Sequence, residues 1–382
     1  MPANQSLNIL QLVYKPDHLL PLFNCYAKAL MLQGHQLTTI FLTGVENKVT
    51  TTATHANQVK FCCFSKKHLR TNKYRVSRKI RQIWLQDNYD LAICHRHKPS
   101  FVFSLARLGL KQVPMLSVVH ALDQYQRMSR QLQARVFYGR QQNKTALVAV
   151  SDAVRMNIIE DFHENPPCPV LTIQNIIDQQ SVLSTQLNMQ DSRQQLGIEA
   201  DDVVIGHIGR LVTDKGQQYL LSALSSLLQA NNAQSATIKL VIIGTGKLES
   251  QLKQTAQQLG IGHSVIFAGE ISQASRLMPA FDLFVLPSIV EPFGLVLLEA
   301  MAARLPIVAT RVGSIASIVN PQSRLVAPGN PQQLAQAIQS IIQLAPDQRK
   351  TLGNAGYSHL KHHFSESQFQ QQLNTAINQV LD

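Results

Sequence analysis

The sequence predicts an α/β protein made of two doubly wound parallel-sheet domains, and three observations predict it. Short apolar runs of strand length alternate with longer stretches of helical apolar spacing, the pattern of a parallel sheet covered on both faces. The alternation breaks at Glu164-Asn-Pro-Pro-Cys-Pro169 and starts afresh at Val203. At 382 residues the chain is long for one core and comfortable for two.

The elements follow in order. Residues 7–13 read as a first strand, 18–32 as a helix stopped by Gly34-His35, and 37–42 as a second strand. A second unit runs from the strand 89–94 through a helix at 100–110 to the strand 113–119. Residues 145–150 form a further strand, and Ser151-Asp152 caps a helix carrying Val154 and Ile158. Three prolines then precede an extended run at 170–173, and the junction between domains is expected between about 176 and 198. The second series has strands at 203–208, 238–243, 264–267, 283–287 and 306–310, with helices at 217–228, 247–258, 273–280 and 294–303. From about Pro346 onward the chain reads as helix. The expected division is therefore 1–180, 181–360 and a last helix within 361–382.

Composition narrows the class. Apolar residues make up 45% and charged residues 15%, as in globular proteins, so disorder is not expected over any long stretch. The chain has no run of 18 apolar residues and no charged leader before an apolar segment, and a cytoplasmic protein is expected. Five cysteines without a Cys-x2-Cys pair suit a reducing compartment and support neither a zinc site nor a disulfide framework. The net charge of +12 asks for a partner. From Lys60 to Arg81 there are nine Lys or Arg and no acid, a stretch that attracts phosphates on lipid, glycolipid or nucleic acid. Ile80, Ile83 and Trp84 stand at helical spacing, so its second half reads as an amphipathic helix. An anionic membrane surface is the functional reading; a solvated basic face is the bland one. Few aromatics accompany the run, and no specific nucleic acid is expected.

The motifs lie where strands end. In Ser288-Ile-Val-Glu291-Pro-Phe-Gly294-Leu-Val-Leu-Leu-Glu299 two acids stand eight residues apart in an otherwise apolar segment. Gly294 uncovers the backbone at a helix start, a place suited to an anion. Glu291 and Glu299 could each accept from hydroxyls of an extended ligand, about 12 Å apart if the span is helical. Otherwise Glu291 caps the helix and Glu299 pairs with Arg304 or Arg311. Gly206-His-Ile-Gly209-Arg210-Leu-Val-Thr-Asp-Lys215-Gly216 follows the first strand of the second series, with a fork and a point charge for phosphate. Gly244-Thr-Gly246-Lys247 and Phe267-Ala-Gly269-Glu270 follow the next two. In the first half, His120 ends a strand and His95-Arg-His97 follows another; for the latter a metal is rejected because no third ligand has suitable spacing.

These segments resemble the retaining glycosyltransferases of the GT-B fold, family 4, across most of the chain, and are similar to those of bacterial lipopolysaccharide core enzymes. The resemblance implies two Rossmann-like domains facing a central cleft, the first for the acceptor and the second for a nucleoside diphosphate sugar, with the last helix returning to the first domain. It places Glu291 on the transferred sugar, Glu299 on the ribose, and Arg210 and Lys215 on the diphosphate. Gly209, Gly244, Gly246, Glu270, Ile271, Phe293, Gly294 and Leu295 line the nucleotide, and His120 reaches the donor sugar. Catalysis is thus assigned to Glu291, His120, Arg210 and Lys215. On the acceptor side the family has a glycine-rich loop after the first strand; here Tyr14-Lys-Pro-Asp-His18 lacks it, and Lys15, Asp17, His18 and His97 are the candidates. No Asp-x-Asp triplet occurs, so a reaction without a metal or other cofactor is expected. The implied acceptor is a hydroxyl of a cell-envelope glycan, lipopolysaccharide core first, reached from the inner face of the cytoplasmic membrane. A nucleotide-sugar epimerase of related architecture and, on charge alone, a nucleic-acid-binding protein are the rivals.

Overall fold

The computed structural model describes residues 6–16, 20–46, 48–230 and 237–382. The chain divides into two compact units, Met1–Ile176 with Glu366–Asp382, and Ile177–Ser365. The first boundary falls at 176 where 180 is expected, and the return begins at Glu366 where 361 is expected. The difference at the second boundary arises because Pro346–His363 is one helix that stays with the second unit.

The first unit is built on seven strands: β1 Asn8–Val13, β2 Gln36–Phe41, β3 Gln58–Phe61, β4 Leu91–His95, β5 Met115–Val119, β6 Thr145–Ala149 and β7 Val170–Thr172. Their order is β3-β2-β1-β4-β5-β6-β7, every pairing parallel. The order reverses between β1 and β4, the position where such sheets open a crevice beyond the strand ends. Strands β4, β5 and β6 are buried at every residue, which accounts for their near-continuous apolar runs. The helix Asp152–Asp161 is capped as its sequence predicts, Ser151 Oγ accepting from Val154 N–H at 3.2 Å. The helix expected at 100–110 is instead His97–Ala106, because Pro99 fits in the first turn, where its missing N–H costs nothing.

The last helix, Glu366–Leu381, completes this unit. Phe369 meets Tyr26 edge-on at 4.9 Å, Lys28 pairs with Glu366 at 2.7 Å, and Lys144 donates to the Leu381 carbonyl at 2.7 Å. Its buried stripe of Phe369, Leu373, Ala376, Ile377 and Val380 is the apolar face of an amphipathic helix.

The second unit carries six parallel strands: β8 Val203–Ile208, β9 Ile238–Ile243, β10 Val265–Gly269, β11 Leu283–Leu286, β12 Ile307–Thr310 and β13 Arg324–Val326. Their order is β10-β9-β8-β11-β12-β13, which reverses between β8 and β11. Its core gathers Ile205, Leu220, Leu224, Leu240, Val285 and Ile338. The segment expected as a helix at 273–280 is a 3-10 turn, Ala274–Ala280, with Pro279 inside it.

Among the described residues, no helix is long and apolar enough to cross a membrane. The amphipathic helix of the basic segment is Lys73–Asp87, with Val76, Ile80, Ile83 and Trp84 buried. The run is less free than its sequence suggests. Lys60 pairs with Asp87 at 2.6 Å, Arg81 donates to the carbonyls of Ala106 and Leu108, and Lys73 lies over the Phe101 ring. Lys66, Lys67, Arg70, Arg75, Arg78 and Lys79 remain exposed beside Tyr74, which is 77% exposed.

Candidate functional site

The loops after β8 and β11 flank the reversal point of the second sheet, and backbone bonds tie them together. The amides of Ile289 and Val290 both donate to the Asp214 carbonyl, at 2.7 and 3.2 Å. This brings Lys215 and Glu291, 76 positions apart in sequence, to 2.5 Å between Nζ and Oε2. Ser288 Oγ donates to the same oxygen at 3.1 Å. Glu291 is 5% exposed, so its ion pair is shielded from solvent and the partner is obligatory. Lys215 thus enters the site already ion-paired with Glu291, and Glu291 caps no helix, which removes the bland reading of that acid.

The helix Leu295–Ala302 begins four residues after Glu291, so the span to Glu299 is only partly helical and the distance expected for a continuous helix does not apply. Its N-cap is Gly294 at φ +98, a conformation that favours glycine, and no side chain caps the first-turn amides. Leu295 opens that first turn, and Phe293 is 4% exposed and packs edge-on against Phe364. Glu299 is half-buried with no ion pair among the described residues, and burial pushes its carboxyl up to about 7. Arg304, weighed as its partner, instead donates to Asn354 Oδ1 at 2.7 Å and covers the Tyr357 ring.

Arg210 is exposed, its backbone carbonyl held by Gln217 Nε2–H at 2.9 Å. Gln217 also reaches His207 Nε2 at 3.2 Å, while His207 Nδ1–H donates to the Val285 carbonyl at 2.9 Å. Buried and bonded this way, His207 is held neutral, its pKa lowered to about 4. Neither residue is recognisable as functional in the sequence; together they brace the Arg210 loop. The glycines of the neighbouring loop serve packing. A Cβ on Gly244 would lie 2.1 Å from the Gly209 carbonyl oxygen, and one on Gly246 would lie 2.3 Å from that of Leu211. Gly209 itself sits against the His207 ring. Glu270 is exposed beyond β10, within 3.4 Å of Thr245 Oγ1, and Ile271 follows it half-buried. Gly209, Arg210, Lys215, Gly244, Gly246, Glu270, Ile271, Glu291, Gly294 and Leu295 thus all follow the carboxyl ends of β8 to β11, with Glu299 one turn into the helix.

In the first unit, His120 follows β5 and is bonded to His95, the last residue of β4. His97 is half-buried and stacks on Phe101, its pKa lowered to about 4, chiefly by burial and then by nearby Arg130, Lys73 and Lys98. Lys15 is exposed. Asp17 and His18 lie outside the described residues.

Two family profiles match most of the chain between them, glycosyl transferases group 1 over residues 188–359 and glycosyltransferase family 4 over 26–181. The chain belongs to the GT-B glycosyltransferases. It is 28% identical to an uncharacterized glycosyltransferase of Methanocaldococcus jannaschii, over 67% of either chain. It is 30% identical to a D-inositol 3-phosphate glycosyltransferase of Segniliparus rotundus, over 44% of this chain and 38% of that one, less than half the relative's length. Among solved structures, Anabaena HepE in complex with UDP and glucose superposes with a TM-score of 0.78 at 22% identity, over 97% of this chain and 99% of that one, and shares the fold.

Proposed function

We propose that this glycosyltransferase moves a sugar from a nucleoside diphosphate sugar to a hydroxyl of a cell-envelope glycan, with retention at the anomeric carbon. The observation that carries the reading is the meeting of the Lys215–Glu291 pair with the uncapped helix start at Gly294, beside an unpaired Glu299. Cation and amides favour a diphosphate, increasingly so as negative charge collects on it during departure. Arg210, exposed on a braced loop, adds a fork for a phosphate. These groups take the place of a metal. Glu299 accepts from the ribose hydroxyls. Glu291 has Oε2 committed to Lys215 and Ser288, so Oε1 is the oxygen that orients the sugar. The C1–O bond to the diphosphate breaks, C1 bonds to the acceptor oxygen, and the acceptor proton passes to the departing phosphate. The UDP and glucose of the Anabaena relative support the class of sugar donor.

The exposed cations of the segment 66–79, with Tyr74 among them, support an anionic, phosphate-bearing acceptor at a membrane surface, the lipopolysaccharide core before other envelope glycans. The enzyme then works in the cytoplasm, peripheral to the inner membrane face. Thermal stabilisation by UDP-, GDP- and ADP-sugars tests the donor. One of them at a hundred times its Kd raises stability by about 2.7 kcal/mol, and Arg210→Ala loses most of that gain. A panel in which no compound shifts the melting point rejects the reading. Equal retention on neutral and anionic vesicles at low salt rejects the membrane part alone.

A further inference from the structure

Gln11, His95 and His120 form a continuous chain of hydrogen bonds in the first unit, buried at Gln11 and His95 and half-buried at His120. Gln11 lies inside β1, opposite Ile93 of β4, and is 1% exposed; His95 is fully buried. Gln11 Nε2 is 3.1 Å from the Phe23 carbonyl oxygen and 3.3 Å from His95 Nε2, and His95 Nδ1 is 3.2 Å from His120 Nε2. Phe23 and Tyr26 pack against the His95 ring, so water does not replace these partners.

The proton positions follow from the one group that cannot change roles. The Phe23 carbonyl only accepts, so the Gln11 corner facing it is the NH2; turning the amide over would set two oxygens against each other. Gln11 Oε1 is then left without a partner, as found. The second amide hydrogen points at His95 Nε2, which must accept and is unprotonated. A neutral His95 therefore carries its hydrogen on Nδ1 and donates it to His120 Nε2. A neutral His120 in turn carries its own on Nδ1, an atom with no bonding partner among the described residues. Burial, then the two rings' mutual repulsion and the nearby Arg96, hold His95 well below the usual histidine range, and burial followed by Arg96 lowers His120 to about 3, so both are neutral at pH 7.

We infer that Gln11 and His95 are positioning residues that lock His120 as its Nδ1–H tautomer, so that its free edge donates to, and never accepts from, a hydroxyl oxygen of a sugar-bearing ligand. The inference rests on the sugar-transfer reading for what His120 meets, whereas the tautomer itself is a property of the ligand-free protein.

Nitrogen-detected NMR of 15N-histidine-labelled protein at pH 7.5 reads the tautomers without substrate. The expected spectrum gives Nδ1–H and bare Nε2 for both rings. Gln11→Glu, buried as the acid with its O–H donated to the Phe23 carbonyl, presents the lone pair of that oxygen to His95 Nε2 and reverses the chain, so both rings become Nε2–H; Gln11→Met removes the constraint and leaves mixtures. In both variants kcat/KM for the sugar donor falls about tenfold or more, the loss of one hydrogen bond, while the Kd for UDP or whichever nucleotide lacks the sugar is unchanged. An Nε2–H His120 in the unsubstituted protein overturns the inference. So does a reversed chain in Gln11→Glu with kcat/KM intact. Failure of the sugar-transfer reading has a separate signature, the absence of binding by every nucleoside diphosphate sugar to the unsubstituted protein.

Discussion

Replacing Glu299 by Gln removes an ionisable group while keeping its shape, and the effect on stability is set by pH. Burial raises the carboxyl from 4.5 to about 7, so the folded chain binds this proton more tightly than the unfolded one. The stabilising contribution is complete below 4.5 and is lost as pH rises toward 7, since above it the carboxylate is charged without a partner. At roughly 1.4 kcal/mol per pH unit, the interval between 4.5 and about 7 corresponds to about 3 kcal/mol. Glu299→Gln carries no such penalty. At pH 8 the variant is therefore more stable by up to about 3 kcal/mol, which for a domain of this size is about 6–12 °C; at pH 4.5 the two proteins melt together. A fluorescence melt across pH 4.5–8.5 reads the difference. In its proposed role Glu299 accepts from ribose hydroxyls, which favours the ionised form, so nucleotide binding at pH 6 is expected to release a proton and to weaken as pH falls. A melting difference that does not vary with pH refutes the reasoning.

Three further outcomes are expected. Lys215→Met strands the buried Glu291 carboxylate and costs about 3–5 kcal/mol in urea unfolding, and adding Glu291→Gln restores most of it; additive losses contradict the shielded pair. Gly244→Ala drives a Cβ to within 2.1 Å of the Gly209 carbonyl and costs several kcal/mol, whereas Gly34→Ala, also at positive φ but with nothing within 4 Å, costs about 1 kcal/mol. His95, His97 and His120 have lowered folded-state values against 6.5 unfolded, so the first unit is stable above 6.5 and loses stability as pH falls through the range below it. Trp84, buried in that unit and the chain's one tryptophan, reports this acid transition by fluorescence.

The fold is legible wherever burial on both faces writes a continuous apolar run, as in Leu91–His95 or Leu283–Leu286. It is illegible at the sheet edges. Strands β3 and β13 are half-exposed and only four and three residues long, so neither Gln58–Phe61 nor Arg324–Val326 stands out from loop. The helix Pro331–Ile342, absent from the expected elements, has a readable start, Asn330 accepting from Gln333 N–H with proline in the first turn. Within the site the residue types Lys215, Glu291 and Glu299 are visible in the chain, yet the Lys215–Glu291 contact is not, because only the strand order joins the loops. Gln11 and Gln217, and the bonds His95 makes, are hidden for a related reason: a buried polar residue has meaning only through neighbours supplied by other elements.

The closing segment 366–382 has a consequence for synthesis. Chain elongation delivers everything the second unit needs by Ser365, while the first unit, although begun earlier, still lacks the wall that Phe369, Leu373 and Ile377 provide. The domain translated first is thus sealed last. A nascent chain stalled before residue 366 would present Tyr26 and its apolar surroundings to chaperones, and fragments ending near 176 would be poor candidates for isolated expression.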